Sequence, residues 1–305
     1  MPAGVNPAMA TRRPLRAAVI AIALIAVLPA CGAGDSATTI GSSAAEGGDG
    51  TFPADSFAVV ANADIGVGRS RLLLGVVAEG GRRLGSPADE VTISIRPIES
   101  PESIQTAKGI FTWIVEGALG LYRAEFNLDS PGIWEAIVIP GAGGPLPPAG
   151  FQVLADPAAP AVGEPAPAPQ TPTLGDSSLD EITTDVDPDP RFYELSLHEA
   201  IGNGRKTVVV FSTPAFCQTA ACGPLLDITK KVAPKHPDVD FIHIEVYTNL
   251  ANPDFAPTPE NLAPSVLSQW WNLPSEPWVF VVDETGIIQA RFEGVIAADE
   301  LDAEL

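Results

Sequence analysis

Six prolines fall within residues 156–172, DPAAPAVGEPAPAPQTP, and they limit the fold more than any other stretch of the chain. Proline has no N–H and a fixed φ, so neither a helix interior nor a central strand can pass through such a segment. It is expected to be an extended, semi-rigid linker rather than packed structure. The apolar pattern changes across it, from short alternating runs before it to strands interleaved with helical spacing after it. A chain of 305 residues has room for two ordinary domains, and the expected division is 51–155 and 173–305.

The first thirty residues stand apart. Arg12, Arg13 and Arg16 precede an apolar run, Ala17 to Val27, that ends in Leu28-Pro29-Ala30-Cys31. Positive residues, a short apolar core and a small-residue boundary make residues 1–30 an export signal. The run is eleven residues long, whereas a helix needs roughly 20 to cross a bilayer, so a cleaved segment fits better than a span. LPAC resembles the lipobox of bacterial lipoproteins. That resemblance implies an acylated Cys31 at the mature N-terminus, attachment to the membrane through the lipid anchor, and a place on its extracytoplasmic face. An ordinary secretory signal would instead leave Cys31 a free thiol, and the choice between general and twin-arginine export stays open. Residues 31–50 contain almost no large apolar side chain and read as a flexible tether. Taking the three arginines from 17 basic residues leaves 14 against 38 acids, a net charge of −24. Nucleic acid and anionic lipid surfaces are poor partners for such a chain.

Between tether and linker, the runs FAVVA, RLLLGVVAE, VTISIRPI, FTWIVE, LYRAEFNL, WEAIVIP and GFQVLA alternate with turn residues. Seven strands in about a hundred residues suggest a β-sandwich. In GLYRAEFNLDSPGIWEAIV, Tyr122, Ala124, Phe126 and Leu128 alternate with Leu121, Arg123, Glu125 and Asn127, and Asp129 to Gly132 supplies a turn. This predicts a half-buried hairpin. The stretch resembles the G-x-Y … G-x-W hairpin of immunoglobulin-like modules in bacterial surface proteins, which implies an all-β immunoglobulin-like sandwich. Trp113, Tyr122 and Trp134 alternate along strands and are expected in its core.

Beyond the linker, LSLHEAIGNGR has helical spacing with Ser196 as N-cap and Gly202 or Gly204 as stop. KTVVVFS then reads as a buried strand, GPLLDITKKVA as an amphipathic helix, VDFIHIEVY as a second strand and NLAPSVLSQWWNL as a further helix. PWVFVVDETGIIQARFEG reads as two strands joined at Asp283 to Gly286, and AADELDAEL as a closing helix. This order, with cysteines after the first strand and Glu276-Pro277 before the last pair of strands, resembles the thioredoxin-like superfamily. The resemblance implies an α/β thioredoxin-like domain, with a cis-Pro277 loop facing the cysteines and, with Glu276, binding substrate backbone.

With Cys31 lipidated, Cys217 and Cys222 remain as an isolated pair in an oxidising compartment, where a disulfide is the usual outcome. Five residues along a helix advance about 7.5 Å, and disulfides rarely join Cα atoms more than about 7 Å apart. Both cysteines therefore cannot be helical when bonded. Either Cys217 lies in the incoming loop with Pro224 in the first helical turn, or oxidation unwinds a turn. The resemblance implies a catalytic pair: Cys217 attacks a disulfide of another extracytoplasmic thiol protein, and Cys222 resolves the mixed disulfide. The spacing CQTAAC departs from the two-residue spacing of thioredoxins. It is similar to TPGC … ACG of bacterioferritin-comigratory-type peroxiredoxins, for which Arg291 would have to hold peroxide. A copper chaperone would draw on both sulfurs and one of His198, His236 or His243. The main alternative is a non-catalytic binding lipoprotein with a structural disulfide on a thioredoxin scaffold. No cofactor and no metal are expected. His243 and Glu245 alternate on one strand and are expected to be a satisfied structural pair, and the strand before the cysteines holds no buried acid. Glu276 is expected to disfavour a thiolate at Cys217.

Overall fold

A computed structural model describes residues 50–305 apart from Ser268. The expected export signal 1–30, the expected lipidation at Cys31 and residues 32–49 of the expected tether lie outside the described residues. Two sheets are present.

The first sheet holds eight strands: β1 (Phe57–Val60), β2 (Gly68–Val77), β3 (Arg83–Leu84), β4 (Val91–Pro97), β5 (Gln105–Val115), β6 (Leu119–Leu128), β7 (Gly132–Pro140) and β8 (Ala149–Val153). Their order is β1-β2-β6-β5-β4-β7-β8, with β3 on β2. The long β5 joins the halves: Gln105 to Gly109 pair with β4, and Ile110 to Val115 pair with β6. The sheet curls on itself in a barrel-like way, and a parallel bridge between Gly66 and Leu154 links its two ends. Leu72, Leu74, Tyr122, Phe126, Ile93, Ile95, Trp134 and Val138 fill its interior.

The hairpin expected across Asp129 to Gly132 is not formed, because β6 pairs with β2 and β5 whereas β7 pairs with β4 and β8. Asp129 to Pro131 instead carry the chain from one half of the sheet to the other. Both strands still alternate, since each turns one face to the shared interior, so the pattern that suggested a hairpin survives without the pairing. The hairpin that does form is β5–β6, turned at Gly117 with φ +73°, a conformation that costs glycine little.

The second sheet has the order β10-β9-β11-β12, with β9 (Thr207–Ser212), β10 (Asp240–Glu245), β11 (Trp278–Val282) and β12 (Ile288–Glu293). β10 runs parallel to β9; β11 is antiparallel to both β9 and β12. The helices are α1 (Leu179–Ile182), α2 (Leu197–Ala200), α3 (Cys222–Val232) and α4 (Ala298–Asp302). Every residue of β9 and β11 is buried, as a central strand covered on both faces requires. Val208, Val210, Val279 and Val281 face Leu225, Leu226 and Val232 of α3, while Val209, Phe211, Phe280 and Val282 face Leu197, Ala200 and Trp271. Ser196 caps α2 in a capping box with Glu199, as its sequence spacing predicts.

Two expectations fail here. NLAPSVLSQWWNL holds only a 3-10 turn, Pro264–Val266, among its described residues. Its amides reach back to distant carbonyls, Trp271 to Ser265 (3.1 Å) and Leu273 to Val266 (3.0 Å), which no α-helical ladder allows. Val266 and Trp271 are nonetheless buried, so a compact turn satisfies the same apolar pattern. The proline-rich stretch 156–172 runs through bends and a turn at 162–163 before an extended end, and it is packed: Ala159 and Ala166 are buried. Its prolines fall where no donor is needed, and its free amides are used. Gly163 donates to Ile288 and Ala166 to Gly286, both at 2.9 Å, while Ala158 and Ala159 donate to the Asp64 carboxylate.

The described residues make one compact unit. Leu72-Leu73-Leu74 breaks the alternation of β2 because that strand is covered on both faces: Leu73 points outward and joins Leu121 and Val295 in a small interlobe cluster. Beside it, Glu300 accepts from Arg71 at 2.7 and 2.9 Å and pairs with Arg123 at 2.9 Å. Arg291 pairs with Asp64 at 2.7 Å.

Candidate functional site around the disulfide

β9 delivers the cysteine loop. Its last residues, Phe211 and Ser212, are buried in the sheet, after which the chain leaves through Thr213 to Ala221. Cys217 and Cys222 form a disulfide with Cα atoms 5.9 Å apart. Of the two geometries open to them, the loop form is found: Cys217 precedes the helix, and α3 begins at Cys222, with Pro224 in its first turn. Ala220 takes φ +60° to close the loop. Cys222 is completely buried, while Cys217 is partly exposed. The Cys222 backbone N–H, a first-turn donor with no helical partner, donates to Cys217 Sγ at 3.2 Å. Thr219 Oγ1 lies 3.4 Å from the same sulfur. The sulfur of the partly exposed cysteine thus receives an amide of the helix start, the arrangement that favours a thiolate.

The Glu276-Pro277 peptide is cis. The β9–β11 ladder ends at the Phe211–Trp278 pair, so this dipeptide and the cysteine loop leave the sheet at the same end. Pro277 is buried and Glu276 is half-buried; burial raises the Glu276 carboxyl above its ordinary range. Phe216, next to Cys217, packs in an aromatic trio with Tyr247 and Phe255, with ring centroids 4.9 to 6.1 Å apart.

His243 and Glu245 make separate sets of contacts. His243 Nδ1 meets the Tyr193 hydroxyl at 2.7 Å, and Nε2 meets Ser212 Oγ at 2.8 Å. Burial lowers the imidazole to about 4, so this ring is neutral and fully engaged. Glu245 is buried at the end of β10 opposite Ser212. Its Oε2 accepts from Thr184 N (3.0 Å) and Thr184 Oγ1 (2.7 Å), and Thr184 Oγ1 in turn accepts from Ala215 N at 3.1 Å. Among the described residues neither its Oε1 nor the buried Thr213 hydroxyl makes a hydrogen bond of regular geometry, although the Thr213 hydroxyl interacts with this carboxylate. Burial raises its carboxyl. A buried acid therefore does serve the cysteine loop, but from the neighbouring strand. Only the parallel register of β9 and β10 reveals it, and the signal available in sequence was the odd charge in FIHIEVY.

Residues wanted by the other chemistries are committed elsewhere. Arg291 donates to Asp64, Ala159 and Pro160. His198 is exposed on α2, and His236 pairs with Asp302 at 3.0 Å. A cavity of about 290 Å³ lies between the lobes rather than at the disulfide. Its walls include Arg69, Arg71 and Arg291, each already paired with a carboxylate. Among the described residues no helix is long and apolar enough to cross a membrane.

Comparison with known proteins adds limited likeness. No family model matches the chain, and no curated protein matches it. Among solved structures, the chain is similar to StoA from Bacillus subtilis at 19% identity, over 33% of this chain and 82% of that one, with a TM-score of 0.26. It is also similar to the alkylpurine DNA glycosylase AlkC of Pseudomonas fluorescens, bound to DNA containing an abasic site analog, at 21% identity, over 34% of this chain and 32% of that one, with a TM-score of 0.22.

Proposed function

We propose that this chain is an extracytoplasmic thiol-disulfide oxidoreductase, anchored to the membrane through a lipid on Cys31. In this reading it presents a thioredoxin-like domain beside an immunoglobulin-like β-sandwich. The observation that carries it is the asymmetry of the disulfide: the partly exposed Cys217 takes an N–H from the start of α3 on its sulfur, and its partner Cys222 is buried. The β9-α3-β10 unit followed by the antiparallel pair β11 and β12, with the cis dipeptide Glu276-Pro277 at the cysteine end, supports the same reading.

In the reduced state the Cys217 thiolate attacks one sulfur of a partner cystine. A mixed disulfide forms and one partner thiolate leaves. Cys222, deprotonated, then attacks Cys217 Sγ; the mixed disulfide breaks, the second partner thiolate leaves, and two electrons have passed to the partner. The reverse sequence oxidises a partner dithiol. Glu276 and Pro277 bind the backbone of the partner segment as an added strand. Glu245 is joined through Thr184 to the loop at Ala215 and fixes the loop that carries Cys217.

A Cys222→Ala variant should accumulate mixed disulfides with cell-envelope proteins. The Cys217–Cys222 couple should equilibrate with glutathione at about −270 to −120 mV, the span of known oxidoreductases, rather than below about −300 mV as a structural staple does. Absence of adducts together with a potential in the lower range overturns the proposal. Burial of Pro277 favours the second reading, a binding lipoprotein whose disulfide never turns over, and the same measurement separates the two.

A further inference from the structure

The segment Ser275 to Trp278, which carries the cis dipeptide, is held by residues that also hold the other lobe. Ser275 Oγ donates to Glu293 Oε1 at 2.9 Å and accepts from Trp278 Nε1 at 3.2 Å. Glu293 is buried at the end of β12, and the same carboxylate accepts from Ala63 N at 2.8 Å and, at 3.4 Å each, from Asp64 N and Asn62 Nδ2. Asn62 is itself fixed to β2, with its Oδ1 accepting from Leu73 N at 2.7 Å. A second route runs over the indole face: the Arg291 guanidinium lies 5.0 Å from the Trp278 ring centroid and donates to the carbonyl and carboxylate of Asp64. The Pro277 carbonyl accepts from Gly294 N, one residue beyond Glu293. Both routes end on the Asn62–Asp64 loop of the β-barrel-like lobe.

We infer that this lobe is the positioning element of the docking loop: Glu293, tethered to residues 62–64, holds Ser275 and through it the Glu276-Pro277 segment in the conformation that receives a partner chain. The inference rests on the oxidoreductase reading for what the loop receives, but not for how the loop is held. A free thioredoxin-like lobe would leave Glu293 with one donor, Ser275 Oγ, in place of four, and a docking loop anchored at one end only.

The test uses the whole mature chain with Ser275→Ala, which cuts the link to the loop and spares the contacts between lobes, and Glu293→Gln, which weakens both; Ser275→Thr restores the hydroxyl. Hydrogen–deuterium exchange should rise about tenfold in residues 273–279 for Ser275→Ala and Glu293→Gln, the scale of one lost hydrogen bond to a charged acceptor, with β9 and α3 unchanged. In the same variants kcat/KM for a peptide disulfide should fall about tenfold through KM. The rate with a small aromatic disulfide and the equilibrium with glutathione should stay at wild-type values, and Ser275→Thr should recover both readouts. Unchanged exchange in residues 273–279, or equal losses with peptide and small disulfides, overturns the inference. A wild-type chain inert toward every disulfide overturns the oxidoreductase reading instead, and the exchange measurement still decides how the loop is held.

Discussion

Replacing Glu300 with alanine should cost this protein a large share of its stability. The Glu300 side chain is 7% exposed, and its partners Arg71 and Arg123 are 9% and 13% exposed. Arg71 depends on it most, because Nε and Nη2 both donate to this carboxylate and Nη1 has no partner among the described residues. Arg123 keeps Asp299 and Thr112. Removing one member of a buried pair leaves an uncompensated charge, a loss of about 3 to 5 kcal/mol. Glu300 Oε2 also accepts from Ala297 N at the start of α4, a capping contact that adds about 1 kcal/mol. A domain of ordinary stability has about 5 to 15 kcal/mol in total, so Glu300→Ala should unfold at markedly lower urea. Since the pair bridges the lobes, the tryptophan and far-ultraviolet dichroism transitions should separate in the variant. The double variant Arg71→Leu, Glu300→Leu removes both charges and should return to within about 1 kcal/mol of wild type, because apolar replacement of a whole buried pair is close to neutral. A single variant that loses less than about 1 kcal/mol, or a double variant no better than the single, would refute the account of this contact.

Other expectations concern the second lobe. Burial holds His243 at about 4 against 6.5 when unfolded, so the unfolded chain binds the proton more tightly. The stability linked to this ring is fully present above pH 6.5 and is lost as pH falls toward 4, by roughly 3 kcal/mol, readable as the pH dependence of urea unfolding. Glu245 has the opposite sign: its carboxyl is raised, so its burial destabilises the fold as pH climbs above the ordinary carboxylate range. Glu245→Gln should stabilise by about 1 kcal/mol at pH 7 and change little at pH 4; equal effects at both would contradict the assignment. Reducing the Cys217–Cys222 disulfide, which closes a loop of sequence separation 5, should lower unfolding free energy by about 2 kcal/mol. Ser196→Ala should cost about 1 kcal/mol through the lost cap of α2, measured by thermal unfolding.

Much of the local structure was legible in the chain. All seven runs that read as strands before the proline-rich stretch are strands, because a curled sheet with one dry face imposes period two on most of them; β2, covered on both faces, is a strand without it, and the two-residue β3 is too short to carry a pattern. Ser196 marked the start of α2, and the amphipathic spacing of GPLLDITKKVA marked α3, since capping and helical periodicity act within a turn or two. The cysteine spacing excluded a fully helical pair before any coordinates. What failed was long-range or cooperative. Pairing of β6 with β2 instead of β7 leaves the same alternation. Trp271 and Val266 are buried by a turn as well as a helix would bury them. The prolines of 156–172 forbid a ladder but not docking where their few amides find partners.

Residue chemistry along the chain therefore determined where most strands and helices lie, which cysteines can bond, and that the two cannot both be helical when bonded, because these depend on neighbours within a few positions. Tertiary structure alone decided which acid lies behind the cysteine loop, why three consecutive leucines are all buried, and that the loop carrying Glu276 and Pro277 is anchored to the other lobe. Glu245 and Ser212 are 33 positions apart and Asn62 and Glu293 are 231 apart, and at such separations a contact is set by how whole sheets pack, leaving no periodic trace in either segment.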